Sequence, residues 1–71
     1  MADNTARARD ELKGQRRAVA DHVNKYQRYT DKTDKDFALK TIRNAQAQIT
    51  RLRAKHPTLS HDASWEDTWR P

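Results

Sequence analysis

Residues 37–52, Phe37-Ala38-Leu39-Lys40-Thr41-Ile42-Arg43-Asn44-Ala45-Gln46-Ala47-Gln48-Ile49-Thr50-Arg51-Leu52, decide the fold. Ala38, Ile42, Ala45, Ile49 and Leu52 follow one another at alternating steps of four and three. That heptad spacing keeps a narrow apolar seam on one side of a helix. Leu39 and Gln46 widen its edge. Alanine within the seam lets the backbone of a neighbouring helix approach closely. The spacing predicts a helix from about Asp34 to Lys55. Thr33 followed three positions later by Asp36 reads as a weak capping box at its start. Pro57 ends it, because proline lacks an N–H and pushes His56 out of helical geometry.

Working upstream, a second periodic stretch runs from about Asn4 to Tyr29. Ala8, Leu12, Val19, Val23 and Tyr26 form one stripe, interrupted by Gln15. Asn4 or Thr5 supplies a short side-chain oxygen for the first-turn N–H groups. Gly14, away from the stripe, weakens the helix by roughly 1 kcal/mol. Between the two helices lies Thr30-Asp31-Lys32-Thr33-Asp34-Lys35-Asp36, which has no apolar residue. So short a break turns the second helix back beside the first. The expected fold is all-α: an antiparallel two-helix hairpin, coiled-coil-like, over residues 1–56, with a Trp-containing C-terminal tail over 57–71. Two such hairpins could pair into a four-helix bundle.

Composition explains why such pairing is attractive. Hydrophobic residues make up 34% and charged residues 35% of 71 positions, so little material is available for a core. A single domain of this size rarely has more than about 3–5 kcal/mol of stability without a staple or a partner. Leu12, Val19, Val23, Tyr26, Phe37, Leu39, Ile42, Ile49 and Leu52 are the large apolar groups of the hairpin, and on that count the lone hairpin is marginal. Extra cover must come from a second copy, a larger body or the tail. There is no cysteine, which removes disulfides and thiolate metal sites. No apolar run approaches the ~18 residues of a membrane span, and residues 1–5 lack a signal-peptide core. The expectation is a soluble, cytoplasmic protein, or part of a larger particle, with no membrane partner.

The tail, Thr58–Pro71, holds Leu59, Trp65 and Trp69 as its only large apolar groups. Ser64 could cap one short turn that puts both tryptophans on the same side. Tryptophan is strongly enriched at binding hot spots, because it buries a large rigid area. Leu59, Trp65 and Trp69 are therefore the expected partner-binding residues; the competing reading folds them back as a lid over the hairpin.

Chemistry is sparse elsewhere. Ser60, His61 and Asp62 are contiguous, so they point different ways and cannot converge as nucleophile, base and orienter. His22, His56 and His61 are too widely spaced for a ligand pair on one helix face. No catalytic residue, cofactor, metal or small-molecule substrate is expected.

Charge is more telling. Residues 1–56 carry 14 Lys/Arg against 7 Asp/Glu, a net +7, whereas residues 57–71 carry 1 against 3, a net −2. Arg9, Lys13, Arg16 and Arg17 form one stripe beside the apolar face of the first helix. Lys40, Arg43, Arg51 and Lys55 lie on the outward side of the second, which has no acid after Asp36; Arg53 falls at the edge of the seam. Such a face suits phosphates, whose binding releases condensed counterions. With no aromatic among these arginines, sequence-independent binding is expected. Two functions follow as expectations: a non-catalytic assembly protein docking on a larger protein complex or on itself, or a small basic RNA- or DNA-binding hairpin dimer.

Overall fold

The computed structural model describes residues 4–71. Helix α1 spans Asn4–Arg28 and helix α2 spans Lys32–Lys55; two 3-10 turns follow, Pro57–Leu59 and Trp65–Asp67. There is no strand among the described residues. The two helices pack side by side in a molecule 49 × 18 × 14 Å across, little wider than the pair itself.

The α1 stripe meets the α2 seam as the periodicity predicts. Ala8, Leu12, Val19 and Val23 are buried against Ile42, Ala45 and Ile49, with Leu52 partly covered at the edge. Phe37 departs from its expected place in the core, being 71% exposed. The reason is angular: it precedes the seam residue Ala38 by one position, about 100° around the helix.

The ends of the helices refine the sequence reading. Because α1 already includes Asn4, its N-cap lies outside the described residues. It ends at Arg28, one residue early, although the Tyr29 N–H still donates to the Lys25 carbonyl at 2.9 Å. Helix α2 begins at Lys32 rather than Asp34, because Asp31 caps it: the Asp31 carboxylate accepts from the Thr33 N–H at 2.8 Å. A carboxylate capping from two residues before Thr33 pre-empts the Thr33/Asp36 box and shortens the connection. At the other end, the His56 N–H bonds to the Leu52 carbonyl and Pro57 starts the first 3-10 turn.

Pro57 turns the chain back over one side of the interhelical groove. Leu59, 1% exposed, joins the buried cluster formed by the two helices. Farther along, the Trp69 ring meets the Tyr26 ring edge-on, with centroids 5.7 Å apart and planes at 76°. The Lys35 ammonium lies 5.4 Å from the centroid of that same tyrosine. The tail thus supplies a third layer of apolar cover through Leu59 and Trp69.

Two substitutions test this arrangement. Gly14 has nothing within 4 Å of the position its Cβ would take, so Gly14→Ala should add about 1 kcal/mol and raise Tm by about 4–8 °C. Leu59→Ala should cost about 2–5 kcal/mol and lower Tm by at least about 10 °C. Thermal melts followed by far-ultraviolet circular dichroism read both.

Candidate functional site

The tail has almost no regular structure, so its carbonyls need partners from elsewhere. Three hairpin side chains supply them. From α1, Arg16 donates to the Asp62 carbonyl at 2.6 Å. From α2, Arg53 reaches the Ser60 carbonyl at 2.8 Å and the Leu59 carbonyl at 3.4 Å. Gln46, also on α2, uses its amide nitrogen on the Glu66 and Trp69 carbonyls, both at 3.0 Å. The Gln46 amide oxygen accepts from Arg70 at 2.8 Å. No buried side-chain polar atom among the described residues is left without a partner.

Asp67 sits at the centre. Its side chain is 4% exposed and that of Arg16 is 13% exposed. Arg16 Nε and one terminal nitrogen grip the two carboxylate oxygens at 2.9 and 2.8 Å, the bidentate geometry that makes arginine–carboxylate pairs strong. Arg53 adds a contact at 3.3 Å, and the Ser64 N–H donates to the same carboxylate at 3.2 Å, closing the second 3-10 turn. Ser64 Oγ bonds Glu66 Oε1 within that turn. Asp62 contributes an outer ion pair to Arg16 at 3.3 Å.

These contacts set the protonation states. Hydrogen bonding to Asp67 raises the Arg16 guanidinium above its ordinary value, in spite of partial burial. For Asp67, burial alone pushes the carboxyl up. The Arg16 and Ser64 hydrogen bonds and the charges of Arg16 and Arg53 together outweigh it, holding the carboxyl below the ordinary aspartate range.

The sequence-predicted residues therefore separate into groups. Leu59 belongs to the core, and Trp69 is half-buried against it. Trp65 is 54% exposed. The two tryptophans do not share a side, because the turn after Ser64 is a three-residue 3-10 turn ending at Asp67 rather than a turn of α-helix. Arg16 leaves the expected α1 stripe: it lies nearest the seam of the four, and its guanidinium is committed to Asp67 and Asp62. Arg9, Lys13 and Arg17 remain exposed, as do Lys40, Arg43, Arg51 and Lys55 on α2. None of these seven forms an ion pair among the described residues.

The other candidates are accounted for locally. Ser60 Oγ donates to the Pro57 carbonyl at 2.6 Å, and the Asp62 carboxylate faces Arg16, so the two are turned to different partners. His22 Nδ1 lies 2.8 Å from the Ala18 carbonyl, a partner that requires Nδ1 to carry the proton. No group of three or more metal-ligating side chains occurs among the described residues, and no described helix is long and apolar enough to cross a membrane. Gln46, Arg53 and Asp67 were missed as a set. Gln46 and Arg53 did signal themselves as polar groups at the edge of an apolar seam, and Asp67 as the residue three after a capping serine.

Comparison with protein-family models, with curated proteins and with solved structures finds no match to this chain. The surfaces themselves carry the functional reading. On the tail side, Trp65 projects beyond a clamped turn. On the opposite side, the interhelical groove is open, with one cleft where His22, Lys25 and Tyr29 meet Phe37, Ala38 and Thr41. A second cleft lies where Arg7, Ala8 and Glu11 meet Leu52, Lys55 and His56.

The clamp makes a pH prediction. A carboxyl whose native pKa lies below its unfolded value contributes stability that is fully present above the unfolded value, about 3.9. That stability is lost as pH falls from there through the native value. Melts from pH 7 down to about 2.5 should show Tm falling below pH 4, with a weaker fall in Asp67→Asn. Removing the carboxylate by Asp67→Ala leaves two guanidiniums without their shared partner and should cost about 3 kcal/mol at pH 7.

Proposed function

We propose that this protein is a non-catalytic interaction protein that docks on a larger protein assembly through its tryptophan tail and the adjoining hairpin surface. The observation that carries this reading is Trp65, a large aromatic left 54% exposed on a segment whose neighbours are anchored. Asp67, two residues on, is held by two arginines, and Trp69 packs on Tyr26. An exposed indole on an ordered turn loses little conformational freedom when a partner covers it, and such pre-organised aromatics dominate binding energies. Beside the turn, Lys13, Gly14, Arg17, Ala20 and Asp21 of α1 frame a shallow concavity with Glu66. A partner seated on Trp65 would meet this polar rim of mixed charge, the usual surround of an apolar anchor.

In this reading the tail acts inward and outward at once. Leu59, Asp67 and Trp69 hold the turn to the hairpin, and Trp65 is presented to the partner. Pairing of two hairpins into a four-helix bundle is the homomeric alternative to docking on a larger body.

The test is Trp65→Ala. Because the side chain contributes little to the fold, Tm should stay within about 2 °C of the parent. Crosslinking in the source cell followed by purification should recover a discrete partner with the parent chain and lose it with the variant. Sedimentation equilibrium then separates a foreign partner from a second copy. Recovery of the same partner by Trp65→Ala refutes the reading.

A further inference from the structure

Helix α2 carries a second regular stripe besides its seam. Phe37, Lys40, Asn44, Gln48, Arg51 and Lys55 follow one another at steps of three, four, four, three and four, so they share one face of the helix. All six are exposed. At about 100° per residue the stripe lies roughly a third of a turn from the seam, on the side away from Gln46 and Arg53. Helix α1 covers the seam and the tail covers the Gln46/Arg53 side, so nothing in the fold blocks this face. It runs about 27 Å from Phe37 to Lys55.

The order of chemistry along the stripe is specific. Cations stand toward both ends, Lys40 at one and Arg51 with Lys55 at the other, with Arg43 on the flank. Two amides, Asn44 and Gln48, stand between them. Neither amide makes a hydrogen bond within the described structure, in contrast to the fully engaged Gln46, two residues from each of them. Helix α1 adds a cation at each end of the same side, Lys25 in the cleft with Phe37 and Arg7 in the cleft with Lys55. Carboxylates on this side are confined to the ends as well: Glu11 and Asp34 line those clefts, and Asp36 lies just before Lys40.

The geometry points to duplex DNA as a ligand of this face, with α2 lying in the major groove. A helix 10–12 Å across fits a groove about 12 Å wide. Cations toward the two ends of the helix then meet phosphates on the two rims of the groove. Asn44 and Gln48 are left facing base edges, where side-chain amides pair with adenine. The proposal goes beyond charge alone, which would give only sequence-independent affinity. It assigns the tail a corresponding part: by neutralising Arg16 and Arg53 it confines the free cations of α2 to the outward side. The site is separate from Trp65 and does not depend on the protein-docking reading.

The experiment uses the full chain and a fluorescein-labelled duplex of about 20 base pairs, read by anisotropy. With about four phosphates neutralised, affinity should fall about 100-fold between 50 and 200 mM salt. Lys40→Gln, Arg51→Gln and Lys55→Gln should each weaken binding and lower the slope of log affinity against log salt by about one. Lys13→Gln and Arg17→Gln on α1, and Trp65→Ala on the tail, should leave it unchanged. Selection from a random duplex library should return a preferred sequence. Asn44→Ala and Gln48→Ala should flatten that preference at the central positions while keeping the salt slope. All these positions are exposed, and unchanged melts confirm that each variant folds. Several outcomes overturn the proposal. They are no anisotropy change at about 10 μM protein in about 50 mM salt, tighter binding to single strands than to duplex, losses that track Lys13 and Arg17 instead, and selection without enrichment.

Discussion

The Asp67 carboxylate is the point on which the rest of the tail hangs. A buried charge is costly unless its partners replace the water it loses, and here two guanidiniums and a backbone N–H do so. Those partners come from α1, from α2 and from the turn itself, so one carboxylate ties three parts of the chain together. The same two arginines also take the Leu59, Ser60 and Asp62 carbonyls. Since the tail has neither helix nor strand to pair its backbone, those bonds set where it lies. Leu59 and Trp69 supply the attraction to the hairpin. The ion network and Gln46 supply the register, which two apolar anchors separated by ten residues could not specify alone.

This division explains what was legible beforehand. The seam Ala38, Ile42, Ala45, Ile49 and Leu52 and the stripe Ala8, Leu12, Val19 and Val23 are local repeats, and a repeat with the helical period states its own secondary structure. Pro57 is equally local, because its ring acts on the residue beside it. Start positions are less so: Asp31 and Thr33 are both competent caps, and the choice depends on which side chain first meets a free N–H. The tail was legible only as two alternatives. Arg16 and Asp67 are 51 residues apart, and nothing periodic links them. A pair of opposite charges becomes a clamp only once Leu59 has brought the segments together. Phe37 failed for a simpler reason: a count of large apolar residues ignores the direction each one takes from the helix axis.

The clamp also reshapes the charge of the surface. The sequence presents fourteen cations against seven acids on the first 56 residues, a basic body whose cations fall on a stripe of α1 and the outward side of α2. Folding removes Arg16 and Arg53 from that total by pairing them, half-buried, with acids of the tail, and Lys35 lies near the Tyr26 ring. What remains is polarised. The tail side combines carboxylates with cations around Trp65, whereas the outward side of α2 past Asp36 keeps cations and amides with no acid among them. A neutral distribution would attract no partner at a distance, and a uniform one would attract anions without fixing their orientation. An asymmetric one gives the molecule two distinguishable faces.

That asymmetry bears on how a protein of 71 residues keeps two faces of different character. In a thin hairpin every helix has one side in the core and the rest in solvent, so surface is plentiful and core is scarce. Using the tail as core would ordinarily remove it as a binding element. The 3-10 turn at Trp65–Asp67 avoids that conflict. Asp67 turns inward and Trp65 outward within two residues, so the side chain that ties the tail to the hairpin and the aromatic left exposed are different members of one turn. The same separation holds on α2, where Gln46 is spent on the tail while Asn44 and Gln48, two residues to either side, stay free. Alternation of committed and free side chains along a single element is what lets so small a core support more than one surface.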